Sequence, residues 1–238
     1  MRTEVVEIRI DARKTATCLL AAVLFLAVAH VGASVLRYEL DITHAWGLVD
    51  TFDLNFENNV PTFFATMLLV TSATLLAVIA LTAARDARDA RYWKSLALLF
   101  LFLALDEDAS LHELLIDPVR AILPVSGPLY FAWIIPYGFA VLLAGLLYLR
   151  FVLALRTRTR NLFIVAGALY VAGALGFELL GGWYMSRHGE LEDLPYSFLV
   201  AGEEVLEMTG LVAFIYALLD FLAAPGRKHA VCVAVANT

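Results

Sequence analysis

Residues 96–113 read LALLFLFLALDEDASLHE, ten apolar positions running without a break into Asp106, Glu107, Asp108, His112 and Glu113. A helix over this stretch places its first turns in an apolar medium and its last turns among acids. Extended at both ends it gives an expected membrane span at 92–116, and the rest of the chain repeats the pattern. Further apolar segments lie at 16–36, 60–84, 129–150, 161–185 and 195–223. Each is near the length of about 20 residues that crosses a hydrocarbon core as a helix. Helices are the economical solution there because they satisfy their own backbone in lipid. The expected fold is therefore all-α, a single polytopic bundle of six transmembrane helices spanning 1–238. The first segment lacks a small-x-small cleavage signature and is read as retained rather than as a signal peptide.

Composition agrees. The 238 residues are 61% hydrophobic and 17% charged, too apolar for one soluble core. A formal net charge of -6 leaves no cationic surplus to displace phosphate counterions, which excludes nucleic acid and makes the lipid bilayer the expected partner. Cys18 and Cys232 cannot build a disulfide framework or a zinc knuckle. The basic residues fall in alternate connections: Arg2, Arg9, Arg13 and Lys14, then Arg85, Arg88, Arg91 and Lys94, then Arg156, Arg158 and Arg160, then Arg227 and Lys228. The intervening connections hold only Arg37, Arg120 and Arg187. Both termini are thus expected in the cytoplasm. The connection at 38–59 is then extracytoplasmic, acidic and aromatic, and long enough to fold back as a lid.

Helix punctuation supports the segmentation. Asn58, Asn59 and Pro61 signal the start of the second span and Pro195 that of the sixth, while Pro136 is expected to kink the fourth. Gly167, Ala174 and Gly182 share a face of the fifth helix with Glu178, a small-residue stripe suited to close helix packing. Tyr130, Trp133, Trp183 and Tyr184 are expected in an interfacial aromatic belt.

Ionisable residues within spans are costly, so each is a functional candidate. Placed by helical rise, His30, Asp106, Glu107, His112, Glu113, Glu178, Glu203, Glu204 and Glu207 all fall in the outer half of the membrane. Asp106, Ser110 and Glu113 share one stripe of the third helix, and Asp108 pairs with His112 at i,i+4. So many carboxylates in a poorly hydrated bundle need shared protons, a wet vestibule or a bound cation. The mixture of Glu, Asp and His suits divalent iron, manganese or zinc better than calcium. The candidate metal ligands are Glu107, His112, Glu113, Glu178, Glu204, Glu207 and His30, with Asp106 and Glu203 as candidate proton-transferring catalytic groups. His30 has two readings, ligand or hydrogen-bonded packing residue.

The chain resembles a family of uncharacterised bacterial multi-span membrane proteins from Phe52 to Leu219. The likeness rests on Phe-Asp-Leu at 52–54 with Glu-Asn-Asn-Val-Pro-Thr at 57–62, Leu-Asp-Glu at 105–107 with Ser-Leu-His-Glu at 110–113, Gly-Gly-Trp-Tyr at 181–184, and Glu203, Glu204 and Glu207. It implies a bacterial membrane protein and no particular activity. A looser likeness is to di-metal carboxylate bundles, since Glu107, Glu178, Glu204 and Glu207 with His30 and His112 match their inventory. Their Glu-x-x-His spacing is missing, because Ala109 stands three before His112 and the sixth helix has no histidine. A mononuclear site or none stays open.

Two main functions remain. One is an outward-facing, metal-dependent hydrolase or oxidoreductase acting on a small molecule or lipid. The other is a cation- or proton-coupled transporter using the same carboxylates. The inner halves of the spans have no ionisable residue before Asp220, which favours a one-sided site. A non-catalytic membrane subunit or sensor is the third reading.

Overall fold

The computed structural model describes residues 10–82 and 87–224, with side chains described from 90 onward in the second segment. Arg2, Arg9, Arg85, Arg227, Lys228 and Cys232, and the side chain of Arg88, lie outside the described residues. Those described form helices and the connections between them, with no strand among them. The helices are α1 (Ala12–Tyr38), a short α2 (Leu48–Phe52), α3 (Val60–Thr82), α4 (Ala87–Ala109), a short α5 (Ile116–Ile122), α6 (Ile134–Ala154), α7 (Thr157–Val171), α8 (Glu178–His188) and α9 (Leu194–Leu222). A π-helical stretch, Ala172–Phe177, joins α7 to α8 without a break.

Five helices are long and apolar enough to cross a membrane: Ala12–Tyr38, Val60–Thr82, Ile134–Ala154, the continuous Thr157–His188, and Leu194–Leu222. α4 has the length, but Asp106, Glu107 and Asp108 crowd its last turn. It also ends earlier than the sequence suggests. Ser110 takes a positive φ of 47°, which terminates the helix, and a 3₁₀ turn at Glu113–Leu115 leads into α5. The expected helix to 116 is therefore corrected, and with it the stripe of Asp106, Ser110 and Glu113. Pro136 does not kink α6. It occupies the first turn, where its missing N–H has no helical partner to lose. Pro61 and Pro195 sit likewise in the first turns of α3 and α9. Asn59 accepts from the Thr62 N–H at 3.1 Å, and Asp193 caps α9 by accepting from the Tyr196 N–H at 3.0 Å.

α9 is the central post, packing against α1, α3 and α7, while α3 and α4 form an antiparallel pair beside it. One apolar layer joins Leu26, Leu68, Val200 and Met208. A second joins Leu76, Trp93, Phe163 and Phe214. α7 and α9 touch almost backbone to backbone: a Cβ on Gly210 would stand 2.7 Å from the Tyr170 nitrogen and 2.9 Å from the Ala166 oxygen. α6 is the outlier, with only Ile134 and Phe151, near its two ends, buried.

The connection after α1 folds back and is pinned to the bundle. Arg37 donates to Asp50 and Asp53 and lies over the Phe56 ring at 4.8 Å. His30 Nδ1 accepts the Leu54 N–H at 2.9 Å, which puts its proton on Nε2, facing Ser197 Oγ at 2.8 Å. Burial would raise the Asp53 carboxyl, but the Asn55 N–H and the Arg37 guanidinium outweigh it and hold Asp53 below its ordinary value of 3.8. A depressed carboxylate stabilises the fold above its ordinary pKa and loses that contribution as pH falls through the folded-state value. Thermal unfolding in detergent should therefore show the wild type more stable than Asp53→Asn at pH 6 by about 1–3 kcal/mol. The gap should narrow as pH falls from 3.8 through the lower folded-state value. A gap that stays constant across that range would exclude this role.

Candidate functional site

One cleft of about 970 Å³ runs between α4, α6, α7 and α9. Nine acids line it: Glu57, Asp106, Glu107, Glu113, Glu178, Glu192, Glu203, Glu204 and Glu207. Among the described residues of that lining, His112 is the one basic side chain, with no lysine or arginine. α4, α7 with α8, and α9 thus each bring carboxylates to one space.

The acids divide into three groups. In the first, Asp106 Oδ1 accepts the His112 backbone N–H at 2.8 Å and the Tyr137 hydroxyl at 2.9 Å, with His112 Nδ1 at 3.5 Å. Asp106 is buried and fully used, so it positions the turn that carries His112. The His112 ring stands 4.6 Å from the Trp133 ring. The expected Asp108–His112 pair is corrected: the helix ends between them, Asp108 is exposed, and Asp106 takes its place. In the second group, Trp133 Nε1 donates to Glu178 Oε1 at 2.9 Å, and Glu203 lies beside Glu178 in the cleft lining. The third group is deepest. Glu107, Glu204 and Glu207 line the same part of the cleft, with Tyr170 beside Glu207.

The π-helical stretch brings α7 and α8 into this arrangement. One extra residue in a turn rotates the remainder of the helix by about 100°, and such insertions concentrate at functional sites. Gly173, inside it, lies so close to α9 that a Cβ would stand 2.7 Å from both the Glu203 carbonyl oxygen and Glu207 Cγ. The small-residue stripe of the fifth span divides accordingly. Gly182 packs on Pro128 and Tyr130, but Gly167 has open space beside it and lines the cleft with Ala174 and Glu178. Gly167 and Ala174 therefore leave room in the cleft, and the helix contact falls on Gly173 and Gly210 instead.

His30 stands apart from the cleft lining, with its ring nitrogens engaged by Leu54 and Ser197. Glu113 lines the cleft from its exposed rim. Glu57, also at the rim, is raised above its ordinary range by partial burial and by the nearby Glu113 carboxyl, against a hydrogen bond from Ser110. Sequence reasoning missed Tyr137, Tyr170 and Trp133 as site residues. Trp133 belongs to the site rather than an aromatic belt, being buried with its N–H on Glu178. The signal that could have found them is that a tryptophan or tyrosine within a span needs a partner for its polar end. Trp183, by contrast, is exposed, with Arg187 4.8 Å over its ring.

Among the described residues, no three His, Cys, Asp or Glu side chains are gathered tightly enough to hold a metal ion as they stand. The arrangement does concentrate carboxylates around one open cleft, which is an environment for a cation. The chain belongs to the family described as domain of unknown function DUF8692, which matches residues 17–222. No curated protein and no solved structure matches it.

Proposed function

We propose that this member of an uncharacterised family is a multi-pass protein of the bacterial cytoplasmic membrane whose acid-lined cleft binds a divalent cation. With α4 as a sixth crossing and both termini cytoplasmic, the carboxylates lie in the outer half of the bilayer. The single observation that carries the reading is nine acids around one cleft with His112 alone to balance them. Desolvating several carboxylates without a countercharge is prohibitively unfavourable. Glu107, Glu204 and Glu207 are the ligands nearest to hand, with His112, Glu113 and Glu178 on the surrounding walls and His30 in a packing role. The donor set fits iron, manganese or zinc. Such an ion would supply a Lewis acid able to activate water or oxygen for a hydrolase or oxidoreductase. Glu203, beside Glu178, is the proton-transferring group, and Asp106 holds His112 in place.

The same acids suit cation- or proton-coupled transport, and their clustering in one cleft supports that reading as well. Against it, the deeper cleft lining among the described residues, from Leu103 to Val152 and Phe163, carries no carboxylate, histidine, lysine or arginine for an ion to follow. The test is a titration of detergent-solubilised protein with Mn²⁺, reading the free ion by electron paramagnetic resonance. The expected result is saturable uptake near one equivalent, weakened at least about tenfold in Glu107→Gln/Glu204→Gln. Uptake unchanged in the double variant would remove these carboxylates as ligands. No uptake by the wild type would move the reading to transport.

A further inference from the structure

The part of the cleft below the acids is long, apolar and walled by small side chains. On α6 the cleft-facing positions are Tyr137, Ala140, Ala144 and Tyr148, which follow helical spacing. The other face of α6 carries Phe139, Leu142, Leu146 and Leu147, all largely exposed. Gly167 on α7 opposes this stripe with open space at its Cα. The slot runs from Tyr137 to Val152, about 22 Å of helix, against about 15 Å for one leaflet of a bilayer core. α6 is held at its ends, by Ile134 and Phe151 and by the Tyr148 hydroxyl donating to Ser95 at 2.8 Å. Between those ends, Val141 is 37% exposed although it lines the slot, so the cleft is open sideways along α6.

We propose that the cleft takes a single-chain amphiphile with an amine head, which enters sideways past α6, lays its hydrocarbon chain in the slot and sets its head among the carboxylates. This rests on reading the acid chamber as the functional site, and names what that site receives. The head is cationic because the lining holds nine acids and no lysine or arginine, so an anionic head would meet repulsion even after one divalent ion had bound. Glu107 and Glu204, half-buried where α4 and α9 face each other across the cleft, present their carboxylates to its space with no lysine or arginine in the lining to meet them. Trp133 and Tyr137 add aromatic faces of the kind that hold ammonium groups. The chain is alkyl because the slot below is lined by apolar and small side chains over a leaflet's depth, apart from Tyr148, whose hydroxyl is taken by Ser95.

The test uses the full chain in nanodiscs of zwitterionic lipid and a tetradecylamine bearing a diazirine at mid-chain. After photolysis, labelled residues are mapped by mass spectrometry. Labels are expected at the slot positions Leu99, Ala140 and Gly167, competed away by unlabelled tetradecylamine but not by ethylamine or tetradecanoic acid. Ala144→Trp, which fills the slot, should cut this labelling at least about tenfold while leaving labels on the lipid-facing Leu142 and Leu146. Gly167→Leu serves as a second blocking variant should the first elute as aggregate. Labelling confined to the lipid-facing leucines, slot labelling unaffected by either variant, or competition by the fatty acid would each overturn the proposal. Mn²⁺ uptake measured on the same samples separates the two failures: slot labelling lost with metal uptake intact sinks only the amphiphile, and the reverse sinks only the metal.

Discussion

Gly210→Leu is expected to destabilise the protein by about 3 kcal/mol or more, whereas Gly167→Leu, one helix away, should cost under about 1 kcal/mol. Both replace a helical glycine with the same better helix former, so propensity predicts a gain for each. Space decides otherwise. At Gly210 the first added carbon meets the backbone of Tyr170 and Ala166, which cannot rotate away, so α7 and α9 must separate. At Gly167 nothing lies within 4 Å. Because α9 is the post for α1, α3 and α7, separation at Gly210 would also displace Glu203, Glu204 and Glu207 from the other acids. Equilibrium unfolding in mixed detergent with increasing sodium dodecyl sulfate reads both variants. Equal losses would show that the α7–α9 contact is less tight than the geometry gives.

His30→Leu is the second large effect, about 3 kcal/mol or more. The side chain is 1% exposed and satisfies three neighbours: the Leu54 N–H, Ser197 and, through Ser197, the Ser34 hydroxyl. A leucine fills the volume but leaves those groups buried without partners, which costs more than the hydrogen bonds themselves. It also frees the connection that Asp53 and Arg37 pin. The same variant separates the two sequence readings of this residue. A packing histidine predicts lower stability with unchanged metal uptake per folded molecule. A ligand predicts lost uptake at near-normal stability.

Long apolar runs made the helices readable from sequence, and five of them are long and apolar enough to cross a membrane. The gathering of acids was readable for a related reason: helical rise fixes depth along a helix, so Glu107, Glu178 and Glu204 could be placed at one level before their neighbours were known. Facing is harder, because it depends on where a helix stops and how it is phased. Ser110 ends α4 through a positive φ that nothing in an apolar-periodic pattern announces, and this swaps Asp108 for Asp106 as the partner of His112. The π-helical stretch at Ala172–Phe177 rephases Glu178 in the same silent way. Gly167 looked like a packing residue because sequence shows a small side chain and not whether the space beside it is filled. His30 could not be resolved at all, since its partners Leu54 and Ser197 lie 24 and 167 residues away.

The central claim is that the carboxylates of α4 and α9 hold a cation. It is tested most directly by elemental analysis of protein purified in mild detergent without chelators or a polyhistidine tag, with Glu107→Gln/Glu204→Gln purified in parallel. The account predicts close to one equivalent of iron, manganese or zinc in the wild type and a loss of most of it in the double variant, with both eluting as folded protein. Equal metal in the two, or none in either, would contradict it.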